Sequence, residues 1–365
     1  MFYIGLNSGT SIDAIDAAIV DINNDSLTLH TFIEYQIPET LREKLFSVNK
    51  QTPLNEIAKL NIQLGKLFSD AVIALLDKAN IKPKQVNAIG LHGQTVLHSP
   101  TSSPAYTIQL GDANTVVANT SISVVNDFRG MDISLGGEGA PLAPIFHKYQ
   151  FANNNKTKVI LNIGGIANIS ILNANANKPV IGFDTGPGNG LMNAWIKRHQ
   201  DKEYDTDGKW AAQGQANEDL LNILLDDKYF QQVPPKSTGP EYFNLDWLHQ
   251  KLIVLNQQLS PEDIQATLLS FTTNSIVRDI SFHAKDCEEV IVCGGGAYNS
   301  RLMNKLNDSL DCKMVTSDNY SISPDAIEAC LFAWLASCRI NKTLLDLTTI
   351  TGSSKPCILG AIYHN

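Results

Sequence analysis

The residues of this chain that could do chemistry gather in polar turns set between apolar runs. "GLNSGTSIDAID" (5–16) places Ser8, Gly9, Thr10 and Ser11 ahead of Asp13 and Asp16, with Phe2-Tyr3-Ile4 before and Ala17-Ala18-Ile19-Val20 after. A turn of Gly, Ser and Thr offers converging backbone N–H groups and hydroxyls to a phosphate chain. The two carboxylates would repel phosphate directly, so they suit Mg²⁺ or its waters at one remove. A polar hairpin closed by an Asx turn has the same composition, and this stretch alone does not separate the two readings.

Other glycine turns weigh on the phosphate side. Gly164-Gly165 with Asn168 makes a second backbone cradle, and Gly294-Gly295-Gly296 ends an apolar run that leads into a helix. Such a turn admits a phosphate or a flat group, although a lone one is usually an ordinary tight turn. Asp184, in "GFDTGPGN" (182–189), follows Val180-Ile181 and precedes a Gly-Pro-Gly turn that opens a helix. A general base belongs in such a place, and so does an acid that merely caps the turn. His92, beside Gly93-Gln94-Thr95, is a further candidate ligand, while His98 reads as structural.

Competing chemistries lack their motifs. G-x-x-x-x-G-K-[ST] and G-x-G-x-x-G are absent, as is the protein-kinase set of H-R-D, D-F-G and V-A-I-K. "YDTDGKW" (204–210) misses the calcium-loop spacing, because Gly208 comes too early and position 216 is Ala. Cys287, Cys293, Cys312, Cys330, Cys338 and Cys357 form no Cys-x-x-Cys pair, so they read as reduced thiols rather than a zinc or dithiol site.

The elements that must position these turns follow from periodicity. Residues 2–7 and 16–22 read as strands joined by the first turn, and 158–173 repeats that strand–turn–strand order. Leu54, Ile57, Leu60, Leu64, Leu67, Phe68, Ala71 and Leu75 recur at helical spacing, which predicts one amphipathic helix over 54–79. Residues 86–98 read as a strand entering a glycine turn, 112–119 as a helix and 123–128 as a strand. Residues 180–196 and 290–306 each read as strand, turn and helix. Ser260-Pro261 and Ser323-Pro324 mark two helix starts. A glycine- and proline-rich break at 130–144 sets the domain boundary at 129/130. The expectation is two similar α/β halves, each opening with a hairpin, with a cleft between them.

At 365 residues, 43% apolar and 18% charged, the chain can fill two domain cores. The net charge of −9 without a basic run argues against a nucleic-acid partner. No apolar run approaches membrane-spanning length and no basic leader opens the chain, so the expectation is no membrane partner and a cytoplasmic protein.

Taken together, the motifs resemble those of the anhydro-N-acetylmuramic acid kinase family, within the sugar kinase/Hsp70/actin superfamily. The resemblance runs from end to end, through "NSGTSIDAID", "GLHGQTVLH", "NDFRGMDISLGGEGAPLAP", "LNIGGIANIS", "GFDTGPGN", "PPKSTGPEYFN", "VCGGGAYN", "SPDAIEA" and "TGSSKPCILGAI". It implies a two-lobed actin-like ATPase fold with ribonuclease H-like halves and an interdomain cleft. Residues 1–129, rejoined by 345–365, would form one lobe, and 130–344 the other. The implied reaction takes 1,6-anhydro-N-acetylmuramic acid, ATP and water to N-acetylmuramic acid 6-phosphate and ADP, with Mg²⁺, in a homodimer serving peptidoglycan recycling.

By position, the resemblance assigns the turn from Ser8 and Gly9 through Thr10, Ser11, Ile12, Asp13, Ala14, Ile15 and Asp16 to ATP. Gly164, Gly165, Asn168, Gly186, Gly294, Gly295, Gly296 and Asn299 join it, and Asp13 and Asp16 hold the metal. Asp184 would activate water, and Glu328 would act beside the sugar. His92, Gln94, Thr95, Gly137 and Glu138 would meet the substrate, with Arg129 for its lactyl carboxylate. Three positions depart from the family pattern: Ala14 where Gly is usual, Glu138 where Gln is usual, and Pro240 where Arg is usual. If the family backbone has positive φ at position 14, the Ala14 methyl costs about 1 kcal/mol. A conventional kinase of a free amino sugar and a non-enzymatic nucleotide switch are the alternatives.

Overall fold

The computed structural model describes every residue except Thr10, Ser11, Asn24, Asp25, Asn154, Ala176, Asn177 and Asn365. In chain order the strands are β1 (Phe2–Ser8), β2 (Ala14–Asn23), β3 (Ser26–Gln36), β4 (Val86–Leu91), β5 (Gln94–Ser99), β6 (Tyr106–Leu110), β7 (Val124–Asn126), β8 (Thr157–Ile163), β9 (Ile166–Leu172), β10 (Ile181–Pro187), β11 (Cys287–Cys293), β12 (Lys313–Thr316) and β13 (Ala361–Tyr363). They belong to two compact units, Met1–Gln150 with Ser321–Asn365, and Phe151–Tyr320.

The first unit is built on a six-stranded sheet ordered β13-β7-β4-β1-β2-β3. β1 pairs antiparallel with β2 and parallel with β4, and β4 runs parallel to β7. From Tyr3 onward β1 is buried throughout, as a strand covered on both faces should be. Ile4 and Leu6 join Leu64, Phe68 and Leu75 of the helix Leu54–Ala79 in one core. On the opposite face the helix Ile327–Ile340 lies directly on the backbone. A Cβ at Gly5 would stand 1.7 Å from the Ala329 carbonyl oxygen, and one at Gly90 would stand 1.9 Å from that of Phe332. Only glycine allows that approach.

The second unit carries a five-stranded sheet ordered β10-β9-β8-β11-β12. β8 and β9 form the opening hairpin, and β11 and β12 follow in parallel with β8. Its strand order repeats that of β3-β2-β1-β4-β7. The helices Gly190–Gln200 and Pro261–His283 supply Trp195, Leu268, Phe271 and Ile276 to the core over this sheet.

The predicted helix at 54–79 is present over those residues. Ser260 caps its helix by accepting from the Asp263 N–H at 3.1 Å. The second Ser-Pro entry instead opens a 3₁₀ turn, Pro324–Ala326, that leads into the helix Ile327–Ile340. The units divide at 150/151 and 320/321, rather than at the glycine-rich break. The segment 130–150 stays with the first unit because its own polar groups tie it there. Buried Asp132 accepts from the Gly139 N–H and the Thr351 hydroxyl, both at 2.7 Å. The six cysteines are all free thiols.

Candidate active site

Parallel strands bring their carboxyl ends to one edge of a sheet, where ligand sites of open α/β sheets form. In the first unit that edge gathers Asn7 and Ser8 from β1, His92 just after β4, Arg129 beyond β7, and Glu328 from the first turn of the helix Ile327–Ile340. Glu328 accepts from the Asn7 side-chain amide. Asp16 sits opposite Asn7 across the hairpin and opposite Glu34 on its other side, so Glu328, Asn7, Asp16 and Glu34 form a line across the sheet.

Burial pushes the Asp16 carboxyl up to about 8, and Glu328, Glu34, Asp13 and Asp325 push it the same way. Burial also raises Glu328, against the pull of Arg129 and Asn7. This part of the site gathers negative charge in a poorly solvated place.

The positive element nearby is fixed from below. Arg129 donates from Nε (3.1 Å) and Nη2 (2.9 Å) to Nε2 of His92, and from Nη1 to the Gly139 carbonyl at 2.6 Å. His92 Nδ1 lies 2.9 Å from the Gly93 carbonyl, a pairing that requires Nδ1–H and leaves Nε2 as the bare acceptor. Burial, then the Arg129 charge, hold this imidazole neutral, well below its usual range. Both ring nitrogens of His92 are therefore engaged, and the ring stacks on Phe332 at 4.4 Å. It positions Arg129 and has no nitrogen left for a ligand.

Gln94 is buried and its Oε1 has no partner among the described residues, and Thr95 accepts from Gln109 at 3.2 Å. Gly137 is buried against Asp132, whereas the Glu138 side chain is exposed and its backbone N–H donates to the Thr351 carbonyl at 2.9 Å. A cleft of about 380 Å³ opens beside this segment, lined by Tyr106, Thr107, Gln109, Asn126, Asp127 and Gly130 among others.

In the opening turn, Thr10 and Ser11 lie outside the described residues. Ser8 is buried and its hydroxyl has no partner among the described residues. Ala14 and Ile15 lie in β2, and Ala14 is not among the residues with positive φ, so the methyl cost considered for it does not arise. The strained residue is Ile12, at φ 50. For a β-branched side chain this is an outlier, held because Ile12 is buried and its N–H bonds back to the Gly9 carbonyl at 3.2 Å.

In the second unit, Asp184 lies on β10 just before a bulge that separates it from Gly186. Bulges re-aim side chains at sheet edges. Its Oδ2 accepts from the Ser237 hydroxyl (3.0 Å) and the Thr238 N–H (2.9 Å). Both side-chain hydrogen bonds fall on that one oxygen. Burial raises the carboxyl above its usual range, while Thr238, Ser237 and Lys236 work against the rise.

Asn168 faces Asp184 across the β9–β10 ladder. The carbonyls of Gly164 and Gly165 accept from the N–H groups of residues 188–190, at 2.8 to 3.0 Å, which ties that turn to the start of the helix Gly190–Gln200. Gly294 leads into a 3₁₀ turn, Gly295–Tyr298, and Asn299 caps the helix Ser300–Ser309 by accepting from Leu302 N–H at 3.1 Å. Ser237, Thr238, Lys236 and Asn7 were not singled out from the sequence as site residues. "PPKSTGPEYFN" was the only signal for three of them.

Two units of one strand order, each with its polar residues at the carboxyl edge, define a protein of the sugar kinase/Hsp70/actin class. The chain belongs to the anhydro-N-acetylmuramic acid kinase family, whose model matches residues 1–365. It is a kinase by that membership. An anhydro-N-acetylmuramic acid kinase of Haemophilus influenzae is 45% identical over 99% of this chain and 97% of its own. One of Photobacterium profundum is 46% identical over 99% and 98%. Among solved structures, a ROK family glucokinase from Streptomyces griseus with glucose and AMPPNP covers 92% of this chain and 99% of its own, at 13% identity and a TM-score of 0.41.

Proposed function

We propose that this enzyme opens the 1,6-anhydro bridge of 1,6-anhydro-N-acetylmuramic acid with water and transfers the γ-phosphoryl group of ATP to O6. The products are N-acetylmuramic acid 6-phosphate and ADP. An anhydro bridge leaves no free 6-hydroxyl, so phosphorylation needs the bridge to open. The observation that carries the reading is the one-sided bonding of Asp184: Oδ2 is held by Ser237 and Thr238, and Oδ1 keeps its lone pairs for a water. Oδ1 takes a proton as the water oxygen bonds to C1. The C1–O6 bond breaks, and O6 attacks the γ-phosphorus as ADP leaves. General-base help of this kind is worth about 10²–10⁴-fold.

In this reading the ATP phosphates bind the turn from Ser8 to Asp16, where the Ser8 hydroxyl, with no partner among the described residues, is a ready donor. Gly164, Gly165, Asn168, Gly186 and residues 294–296 serve the nucleotide in the same reading. The donor set suits Mg²⁺: Asp13 and Asp16 are hard oxygen ligands, and accumulated negative charge around Asp16 favours a cation. Among the described residues no three His, Cys, Asp or Glu side chains are grouped to hold a metal ion. When bound it would supply charge to offset the transferring phosphoryl group.

Glu328 and the turn at Gln94, Thr95, Gly137 and Glu138 are assigned to the sugar. Arg129, with N–H groups to spare beyond its three bonds, is assigned to the lactyl carboxylate. The proposal includes a homodimer, which rests on the resemblance, and a cytoplasmic location. Among the described residues no helix is long and apolar enough to cross a membrane.

The test is one turnover of the anhydro-sugar in heavy-oxygen water, quenched early and read by mass spectrometry. Label is expected at the anomeric oxygen, above the exchange background of unlabelled product, with O6 and the phosphoryl oxygens unlabelled. Label in free phosphate would point to a nucleotide switch. Turnover only with free N-acetylmuramic acid would mark a conventional sugar kinase.

A further inference from the structure

Asp184 is held by more than its two side-chain hydrogen bonds. Its N–H donates to the Lys236 carbonyl at 3.1 Å, and its own carbonyl accepts from the Tyr229 hydroxyl at 2.6 Å. The Lys236 ammonium lies over the rings of Phe183 and Tyr229, at 5.6 and 5.1 Å, and pairs with Asp279 at 3.0 Å. The Lys236 side chain is only 1% exposed and that of Asp279 10%. A buried lysine is costly unless a partner and a fixed geometry compensate it, so a pair placed here asks for a reason.

We infer that Lys236, fixed by Asp279, is the positioning residue of the base Asp184. It anchors the turn 236–238 whose next two residues bond that carboxylate. The inference rests on Asp184 acting as the base. The ammonium touches neither the carboxylate nor any reacting atom; it acts through Phe183, Tyr229 and the backbone. Its charge also favours ionised Asp184, which Glu241 opposes from the same segment. Around the ammonium the other charged or titratable groups are Asp279, Arg278 and His283 of the helix Pro261–His283, and Tyr229.

The test uses the full chain and two variants. Lys236→Met/Asp279→Leu leaves no uncompensated charge in the interior, and Lys236→Arg keeps the cation. Circular dichroism and thermal unfolding check that each is folded; kcat, KM and the pH profile of kcat/KM are the readouts. In the double variant kcat should fall about 10–100-fold, since misplacement of a catalytic group by about 1 Å has that effect. KM for ATP should hold, and the acid limb should move up by about one pH unit as a nearby cation is lost. Lys236→Arg should restore the limb and most of kcat.

A double variant with wild-type kcat and limb would overturn the proposal. Failure of the double variant to fold would assign the pair to stability alone and overturn it too, as would a limb still displaced in Lys236→Arg. Retained activity in Asp184→Asn would instead remove the base reading on which the inference rests.

Discussion

The two units share a strand order and differ in what they place at its carboxyl edge. The first unit fills that edge with polar groups set against one another: the Asn7 amide bonds Glu328, Arg129 bonds His92, and Asp16 stands between Asn7 and Glu34 in the strand register. The second unit presents glycine turns and the acid Asp184, whose side-chain hydrogen bonds among the described residues both fall on Oδ2. A group that must carry a fixed charge benefits from many partners. A group that must exchange a proton needs one lone pair left free and access to water. The repeated sheet therefore supplies an edge, and the loops after each strand decide which kind of work is done there.

The strongest way to break this contrast is to neutralise the acid of each unit in turn. Asp184→Asn should lower kcat by about 10²–10⁴-fold with the affinity for ATP nearly unchanged, because only proton transfer is lost. Asp16→Asn should leave a measurable kcat and change the Mg²⁺ dependence instead. Titrating both variants with Mg²⁺ and ATP decides it, and equal losses of kcat would erase the distinction.

Next in size is an effect on stability. A folded Asp16 carboxyl near 8, against an unfolded value of 3.8, binds its proton more tightly in the native state. Its contribution to stability is present below about pH 4 and is lost as pH rises toward 8. Asp16→Asn should therefore stabilise the metal-free protein, by an amount that grows across this window to a few kcal/mol. Thermal unfolding at pH 4, 6 and 8 without Mg²⁺ measures it; a pH-independent gain would mean that neither burial nor the acidic neighbours raise the Asp16 carboxyl in the folded state.

The smallest expected effect sharpens the account of the first unit. His92→Phe can keep the stack on Phe332 but removes the acceptor of two Arg129 N–H groups. It should cost about 1–3 kcal/mol in denaturant unfolding. A double-mutant cycle with Arg129→Met should show coupling of similar size, and additive losses would separate the two residues.

What could be read from the sequence was whatever has a period or a punctuated turn. The helix Leu54–Ala79 presents an apolar stripe, and Leu60, Leu64, Phe68, Ala71 and Leu75 are all buried. Both hairpins stood out as apolar runs around Gly-rich turns. β3 did not, because an edge strand such as "SLTLHTFIEYQ" alternates exposed polar residues with partly buried ones.

Asp184 was legible from its turn, whereas its partners were not. Ser237 and Thr238 reach it from 53 and 54 positions away, through a proline-rich segment without periodicity. Asn7 and Glu328 are 321 positions apart and meet only because a helix settles onto β1. The strain expected at Ala14 lies at Ile12, since composition marks a tight turn without saying which residue takes positive φ.

That helix has a consequence for the order in which the protein is made. The segment Phe151–Tyr320 interrupts the first unit, whose remaining part begins at Ser321. During synthesis the second unit can emerge whole and fold while the first still lacks its last helix and its closing strand β13. Until Ile327–Ile340 leaves the ribosome, the groove over Gly5 and Gly90 has no occupant and Glu328 is missing from the edge. The nascent chain therefore acquires Asp184, the carboxylate proposed as the base, well before it acquires Glu328, the acid beside Asn7.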